Sequence, residues 1–178
     1  MAEQTMVVTQ RDCPARRVPT GDPVTIPADT FITITQSLGG NYTVVYRGNM
    51  LRVDGTDADA IGMEKQELHF IDPGDGLIHE DQVWQALETV YDPEIPVNLR
   101  SLGLIYGLAI DQDSGTVTID MTLTAPACGM GPVLMGDVEY RVRQVPNVSD
   151  VQVRLVFDPP WSREMMSEEA QLETGLFY

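Results

Sequence analysis

Thr116-Val117-Thr118-Ile119-Asp120-Met121-Thr122-Leu123-Thr124-Ala125-Pro126-Ala127-Cys128-Gly129-Met130-Gly131 is the stretch that decides the fold. Its first half alternates, with Val117, Ile119, Met121 and Leu123 on one face and Thr116, Thr118, Asp120 and Thr122 on the other. That period of two predicts a strand with one buried face. From about Met130 to Gln144 the period lengthens, and Leu134, Val138 and Val142 share one helical stripe. Working outward, Leu104 to Ile110 reads as a strand joined to the first by Asp111-Gln112-Asp113-Ser114-Gly115, and Val151 to Phe157 as a third. Upstream, Val83, Leu87 and Val90 recur at helical spacing behind an acidic first turn, Glu80 and Asp81. That helix is expected to end at Tyr91, because Asp92 precedes Pro93 and the residue before proline avoids the helical region. Residues 162–173 add a short terminal helix. The order helix, strand, strand, helix, strand predicts a two-layer α/β domain over 79–178, with the second helix as a crossover.

Residues 1–71 carry a different pattern. Phe31 to Gln36, Tyr42 to Arg47 and Met50 to Val53 are strand-like, and Gly39-Gly40-Asn41 and Gly48-Asn49 supply residues that accept positive φ in tight turns. The expectation is a small β-rich module. Asp72-Pro73-Gly74-Asp75-Gly76 disfavours helix and strand alike and marks a linker over 72–78. The fold class is therefore α+β.

The 178 residues include 11 basic and 27 acidic side chains, a formal charge of −16. Such a balance offers no footprint for phosphate backbones or anionic lipids, so neither nucleic acid nor membrane is an expected partner. With 43% hydrophobic and 21% charged residues the composition is globular, and no apolar run approaches the roughly 20 residues of a membrane span. The amino terminus lacks the basic start and apolar segment of a secretion signal, which makes a cytoplasmic location the expectation.

Cys128 is expected in a loop at or just before a helix N-terminus, where unpaired N–H groups and the helix dipole stabilise a thiolate. Gly129 and Gly131 leave room for close approach, and Thr122 or Thr124 could donate a hydroxyl hydrogen bond there. The alternative is a small buried hydrophobe beside turn-making glycines. Asp92-Pro93-Glu94-Ile95-Pro96 places two carboxylates at a helix C-terminus, the unfavourable end of the dipole. Either Asp92 and Glu94 hold a ligand or metal, or the segment is an Asp-Pro turn with a solvated glutamate. Cys13, near Arg16 and Arg17, is a second thiol whose pKa those neighbours could lower; an ordinary solvent-facing or buried thiol is the alternative. His69 and His79 sit at spacings unlike a zinc site, and no phosphate loop, nucleophile elbow or HExxH motif occurs.

Four stretches carry a family resemblance: DPEIPVNLRSLGLIYGL at 92–108, MTLTAPACGMGP at 121–132, VRLVFDPPW at 153–161 and MMSEEAQLE at 165–173. In order and spacing they resemble the metal-sulfur cluster biosynthesis domain of SufT and PaaD proteins and of eukaryotic cytosolic iron-sulfur targeting factors. RDCPARRVPTGDPVTIPADT at 11–30, ITQSLGGNYTV at 34–44 and DADAIG at 57–62 resemble the amino-terminal extension of the SufT branch. The resemblance implies an accessory role in iron-sulfur protein maturation, with Asp92, Glu94, Thr122, Thr124 and Cys128 around a common site. Ser101 stands where members often carry an aspartate, and Gly129 where they often carry a proline.

Iron-sulfur clusters normally take four thiolates, so one loop thiolate per domain holds a cluster, or iron, only transiently. A homodimer would bring two Cys128 residues together, and Cys13 would add another if the β module folded over the site. The expected partners are apoproteins and assembly scaffolds, and the expected role is carrier, adaptor or targeting factor rather than enzyme. A protein-interaction module with a structural cysteine, and an accessory subunit of an oxygenase, are the alternatives.

Overall fold

A computed structural model describes residues 4–38, 41–92, 95, 97–124, 129 and 131–174. The chain divides into two units, residues 1–68 and 69–178. Among the described residues no helix is long and apolar enough to cross a membrane.

The first unit is a six-stranded antiparallel sheet built from β1 (Thr5–Val8), β2 (Cys13–Arg17), β3 (Pro23–Ile26), β4 (Phe31–Leu38), β5 (Asn41–Tyr46) and β6 (Asn49–Val53), in the order β1-β4-β5-β6-β2-β3. The three expected strands are its centre. The three that precede them have no alternating signature, since β2 and β3 each contain a proline. Pro23 opens an edge strand, and Pro14 lies outside the β2–β6 pairing, which joins Arg16 to Arg52 and Arg17 to Leu51, so neither missing N–H breaks a ladder. The β5–β6 turn sits one residue earlier than expected: Arg47 and Gly48 take the positive φ values, 50° and 77°, and Asn49 pairs with Tyr46. A two-residue turn of this hand needs positive φ at both central positions. The other expected turn pair, Gly39-Gly40, lies outside the described residues. Ile32, Ile34, Val44, Leu51 and Val53 form the inner face, and a 3₁₀ segment, Gly55–Ile61, adds Ala60 and Ile61.

The second unit carries α1 (Glu80–Leu87), α2 (Leu99–Leu102), β7 (Ile105–Asp111), β8 (Thr116–Met121), α3 (Gly131–Val142), β9 (Asp150–Leu155) and α4 (Glu168–Thr174). β8 is central, antiparallel to β7 and parallel to β9, with α3 as the expected crossover. The alternation along β8 holds: Val117, Ile119 and Met121 are fully buried while Thr116, Thr118 and Asp120 are half-buried. The buried face meets Val83 and Leu87 of α1 and Leu134, Val138 and Val142 of α3 in one core, each such side chain contributing about 1.5–3 kcal/mol relative to exposure. Residues 69–71 belong to this unit, because Phe70 packs on its core and the Gln82 and Gln85 amides donate to the carbonyls of Ile71 and His69. The Pro-Gly-Asp segment that follows turns as the Gly74 amide donates to the Asp72 carboxylate and the Leu77 amide to that of Asp75.

α1 ends at Leu87 rather than Tyr91. The backbone beyond it is committed elsewhere: Tyr91 bridges to Asn98, and the Val90 carbonyl accepts the Leu99 amide at 2.9 Å. α2 is held by Asn98, whose side chain caps the Ser101 amide at 2.9 Å, and by Gly103 at φ 75°. A Cβ on Gly103 would collide with the Met165 carbonyl oxygen. The chain after β9 folds back on this turn, the Trp161 indole donating to Leu102 at 2.7 Å and the Ser167 amide to Ser101 at 2.8 Å. Gly103→Ala is therefore expected to cost more than the ~1–3 kcal/mol of left-handed geometry alone. Urea unfolding measures this, and a cost below 1 kcal/mol, on the order of a surface change, would refute the close approach.

Candidate functional site

The pairing of β7 with β8 closes at Ile105 and Met121, and one further bond continues it, the Thr122 amide donating to Leu104 at 2.8 Å. The Leu104 amide in turn donates to Leu99 at 3.1 Å, and the Leu99 amide to Val90 at 2.9 Å. This relay of main-chain bonds brings Thr122, at the carboxyl end of β8, to the same end of the unit as the segment that starts at Asp92. Ligand sites in α/β architectures lie beyond the carboxyl ends of strands joined by crossovers, and the β8–α3 connection is such a place.

Asp92 is buried, 5% exposed, and its Oδ1 accepts the Ile95 amide at 3.0 Å. The Asp92 amide donates to Val97 at 3.2 Å, which closes the loop on itself. The Asp92 carboxylate is thus enclosed, while Pro93 and Glu94, on which the alternative of an Asp-Pro turn with a solvated glutamate rests, lie outside the described residues. Thr122 is 0% exposed, and among the described residues its hydroxyl has no hydrogen-bond partner. A buried hydroxyl left unsatisfied costs about 1–3 kcal/mol. Thr124 is half-buried, and Leu123 between the two threonines is buried beneath α3, where a Cβ on Gly131 would stand 3.1 Å from its Cδ1. Gly129 is exposed, with nothing within 4 Å of a Cβ built on it.

Cys128 and Glu94 lie outside the described residues. By connectivity Cys128 falls between Thr124 and Gly131, where α3 begins. Among the described residues no three His, Cys, Asp or Glu side chains cluster to hold a metal. The α2 turn that links Asp92 to Thr122 was not expected, although Asn98 and Gly103 bracket it as cap and stop. Arg141 was missed too; its signal is a charge on the buried stripe of α3.

Of the alternatives for Cys13, the structure shows the buried thiol rather than one with a lowered pKa. It lies on β2 with 0% exposure, inside the core of the first unit. Burial, with the nearby Asp57 carboxylate, pushes its thiol up to about 12; Arg11 pulls the other way. Arg11 is itself engaged by Asp57 at 3.0 Å and Asp59 at 2.8 Å. Neither Arg16, 3.9 Å from Asp54, nor exposed Arg17 produces the expected lowering. His79 precedes α1 and pairs with Asp75 at 2.9 Å, as a helix-start residue does.

A family model described as iron-sulfur cluster assembly protein matches residues 80–155. The chain is 49% identical over 96 residues to an Fe-S protein maturation auxiliary factor of Porphyromonas gingivalis, a match covering 54% of this chain and 90% of that protein. The chain belongs to the iron-sulfur cluster assembly protein family. Another relative of this family is the Fe-S protein maturation auxiliary factor SufT of Staphylococcus aureus, 39% identical over 87 residues, 49% of this chain and 98% of that one. The chain also resembles the solved structure of a domain of unknown function from Bacillus anthracis, with TM-score 0.52 and 36% identity over 55% of this chain and 92% of that one.

The Cys13 environment sets a pH dependence. The unfolded chain releases the thiol proton near pH 8.5, whereas the native thiol holds it until about 12, so above pH 8.5 the unfolded state binds fewer protons and stability falls as pH rises. In a Cys128→Ser background, Cys13→Ala should flatten the alkaline fall in the urea midpoint of the first unit. Native Cys13 should also resist iodoacetamide at pH 8, and labelling at the rate of a free thiol would show the core to be open there.

Proposed function

We propose that the chain is a non-enzymatic accessory factor in iron-sulfur protein maturation, a carrier, adaptor or targeting factor acting through Cys128 with Asp92, Glu94, Thr122 and Thr124 around it. The reading rests on one observation above the rest. The Thr122 hydroxyl is fully buried and, among the described residues, unsatisfied at the end of β8, on the same end of the unit as the enclosed Asp92. Buried polar groups are paired as a rule, and an orphan calls for a partner from outside, which a bound ligand at this end of the unit would supply. The auxiliary-factor names of the relatives support the same role.

Ligand counting shapes the chemistry. With Cys13 sealed and protonated, Cys128 is the thiol left to meet a cluster or iron as cargo, against four thiolates in an ordinary cluster. The remaining ligands come from a client apoprotein, a scaffold, a small thiol or the Cys128 of a second copy. Residence is brief because the coordination is shared. The place of action is the cytoplasm, where thiols stay reduced.

Cys128→Ser is expected to abolish maturation of iron-sulfur enzymes in cells that depend on this protein, with an unchanged unfolding midpoint; normal client activity would remove Cys128 from the role. Anaerobic reconstitution with iron and sulfide, read by absorbance and mass per chain, should give cluster bridging two chains or needing added thiol, and none in Cys128→Ser. Thr122→Val separates structure from function at the second position. Loss of an unsatisfied buried hydroxyl should raise stability by about 1 kcal/mol, while client maturation falls. A variant that is stabilised and fully active would exclude Thr122 from the site.

A further inference from the structure

Three charged side chains are buried among the described residues of the second unit: Asp92 at 5%, Asp137 at 1% and Arg141 at 0% exposed. Arg141 lies on α3, yet its Nη1 reaches across to the Thr89 carbonyl at 3.0 Å. Thr89 sits just past the end of α1. The last carbonyls of any helix lack intrahelical donors and form the negative end of its dipole. α1 has no basic residue in its own last turn, and Glu88 and Asp92 add negative charge to that end. The Thr89 carbonyl has a particular difficulty. Were the helix to continue, its donor would be the residue four positions on, and that residue is Pro93, which has no N–H. Arg141 supplies the donor, and a cation, from a different helix. A buried guanidinium is tolerated only where acceptors meet it.

From this geometry we propose that Arg141 is a positioning residue for the Asp92 carboxylate. It fixes the peptide that follows α1, so that the chain leaves the helix where Tyr91 can bridge to Asn98 and Asp92 can close on Ile95 and Val97. The guanidinium plane delivers directed donors from a rigid fork, which an ammonium does not. The inference deepens the proposed function and rests on its assignment of Asp92 to the site.

Amide hydrogen exchange on the full chain tests it, because local opening is seen apart from global unfolding. In Arg141→Met, the amides of Asp92, Ile95 and Leu99, bonded to the Val97 carbonyl, Asp92 Oδ1 and the Val90 carbonyl, should exchange at least about ten-fold faster. Those of Ile119 and Val138 should keep their rates. Arg141→Lys should recover part of the protection, and client maturation should follow the order wild type, Lys, Met. If Arg141→Met does not fold, Arg141→Lys is read by the same comparison of loop against core. Unchanged exchange at Asp92, Ile95 and Leu99 overturns the proposal, as does equal acceleration at Ile119 and Val138, which marks a merely structural arginine. Asp92→Asn is measured alongside: normal maturation with that variant sinks the site reading, and Arg141's role in it, whatever the exchange rates show.

Discussion

The hydrogen bond from the Thr122 amide to the Leu104 carbonyl is the joint on which the end of the second unit that holds Asp92 and Thr122 depends. It extends the β7–β8 ladder by one rung past Ile105 and Met121. It also fixes where Leu104 stands, and through Leu104 the α2 turn and the segment that leads back to Asp92. Its position is set by register, and register is set by the apolar face. A slip of one residue along β8 would carry Val117, Ile119 and Met121 out of the core and Thr116, Thr118 and Asp120 into it. The candidate site therefore inherits its geometry from the same alternation that holds the sheet on its helices. The connection beyond Thr122 needs only to span from this fixed point to Gly131, itself held against Leu123.

Electrostatics plays a different part. Of the arginines in the second unit, Arg100 pairs with Glu88 at 2.5 Å, Arg143 with Glu139 and Asp150 at 2.9 Å, and Arg154 with Asp120 at 2.7 Å. These pairs are largely exposed and worth about 0–1 kcal/mol each. They orient loops and strand ends on a strongly acidic surface; the apolar core supplies the stability. Arg141 is the exception, being fully buried. A buried charge is a poor stabiliser and a strong constraint, which suits the task of holding one turn in one place.

Legibility in the sequence followed periodicity. The second unit was readable because each core element is long enough to display its period: Val117, Ile119 and Met121 in β8, and Leu134, Val138 and Val142 in α3. The central hairpins of the first unit were readable for the same reason. β1, β2 and β3 were not, since runs as short as Thr5–Val8 or as interrupted as Cys13–Arg17 become strands through their neighbours rather than through local preference. The end of α1 was misplaced because proline rules locate the last residue that can be helical, whereas the Tyr91–Asn98 bridge stops the helix sooner. At the site, the candidate residues rested on loop position and on resemblance. What could not be read was which of its alternatives Cys13 takes, the full burial of Thr122 and the span of Arg141. Each depends on contacts between segments distant in sequence: β2 against the sheet, the end of β8 against Leu104, and α3 against the end of α1.

The burial of Cys13 bears on the proposed function more than its distance in sequence from Cys128 suggests. A neutral thiol in an apolar core neither ligates nor exchanges, since the thiolate is the reactive form. The native chain thus brings a single candidate thiolate to any cargo. Within the proposed role, brief retention does not call for a weak sulfur-metal bond; it arises because a cluster held by one protein thiolate is still short of ligands and passes to whatever supplies more. An apoprotein presenting several cysteines at one site meets that condition. A factor with a complete ligand set would compete with its client, whereas one that stops at a single sulfur yields its cargo by mass action.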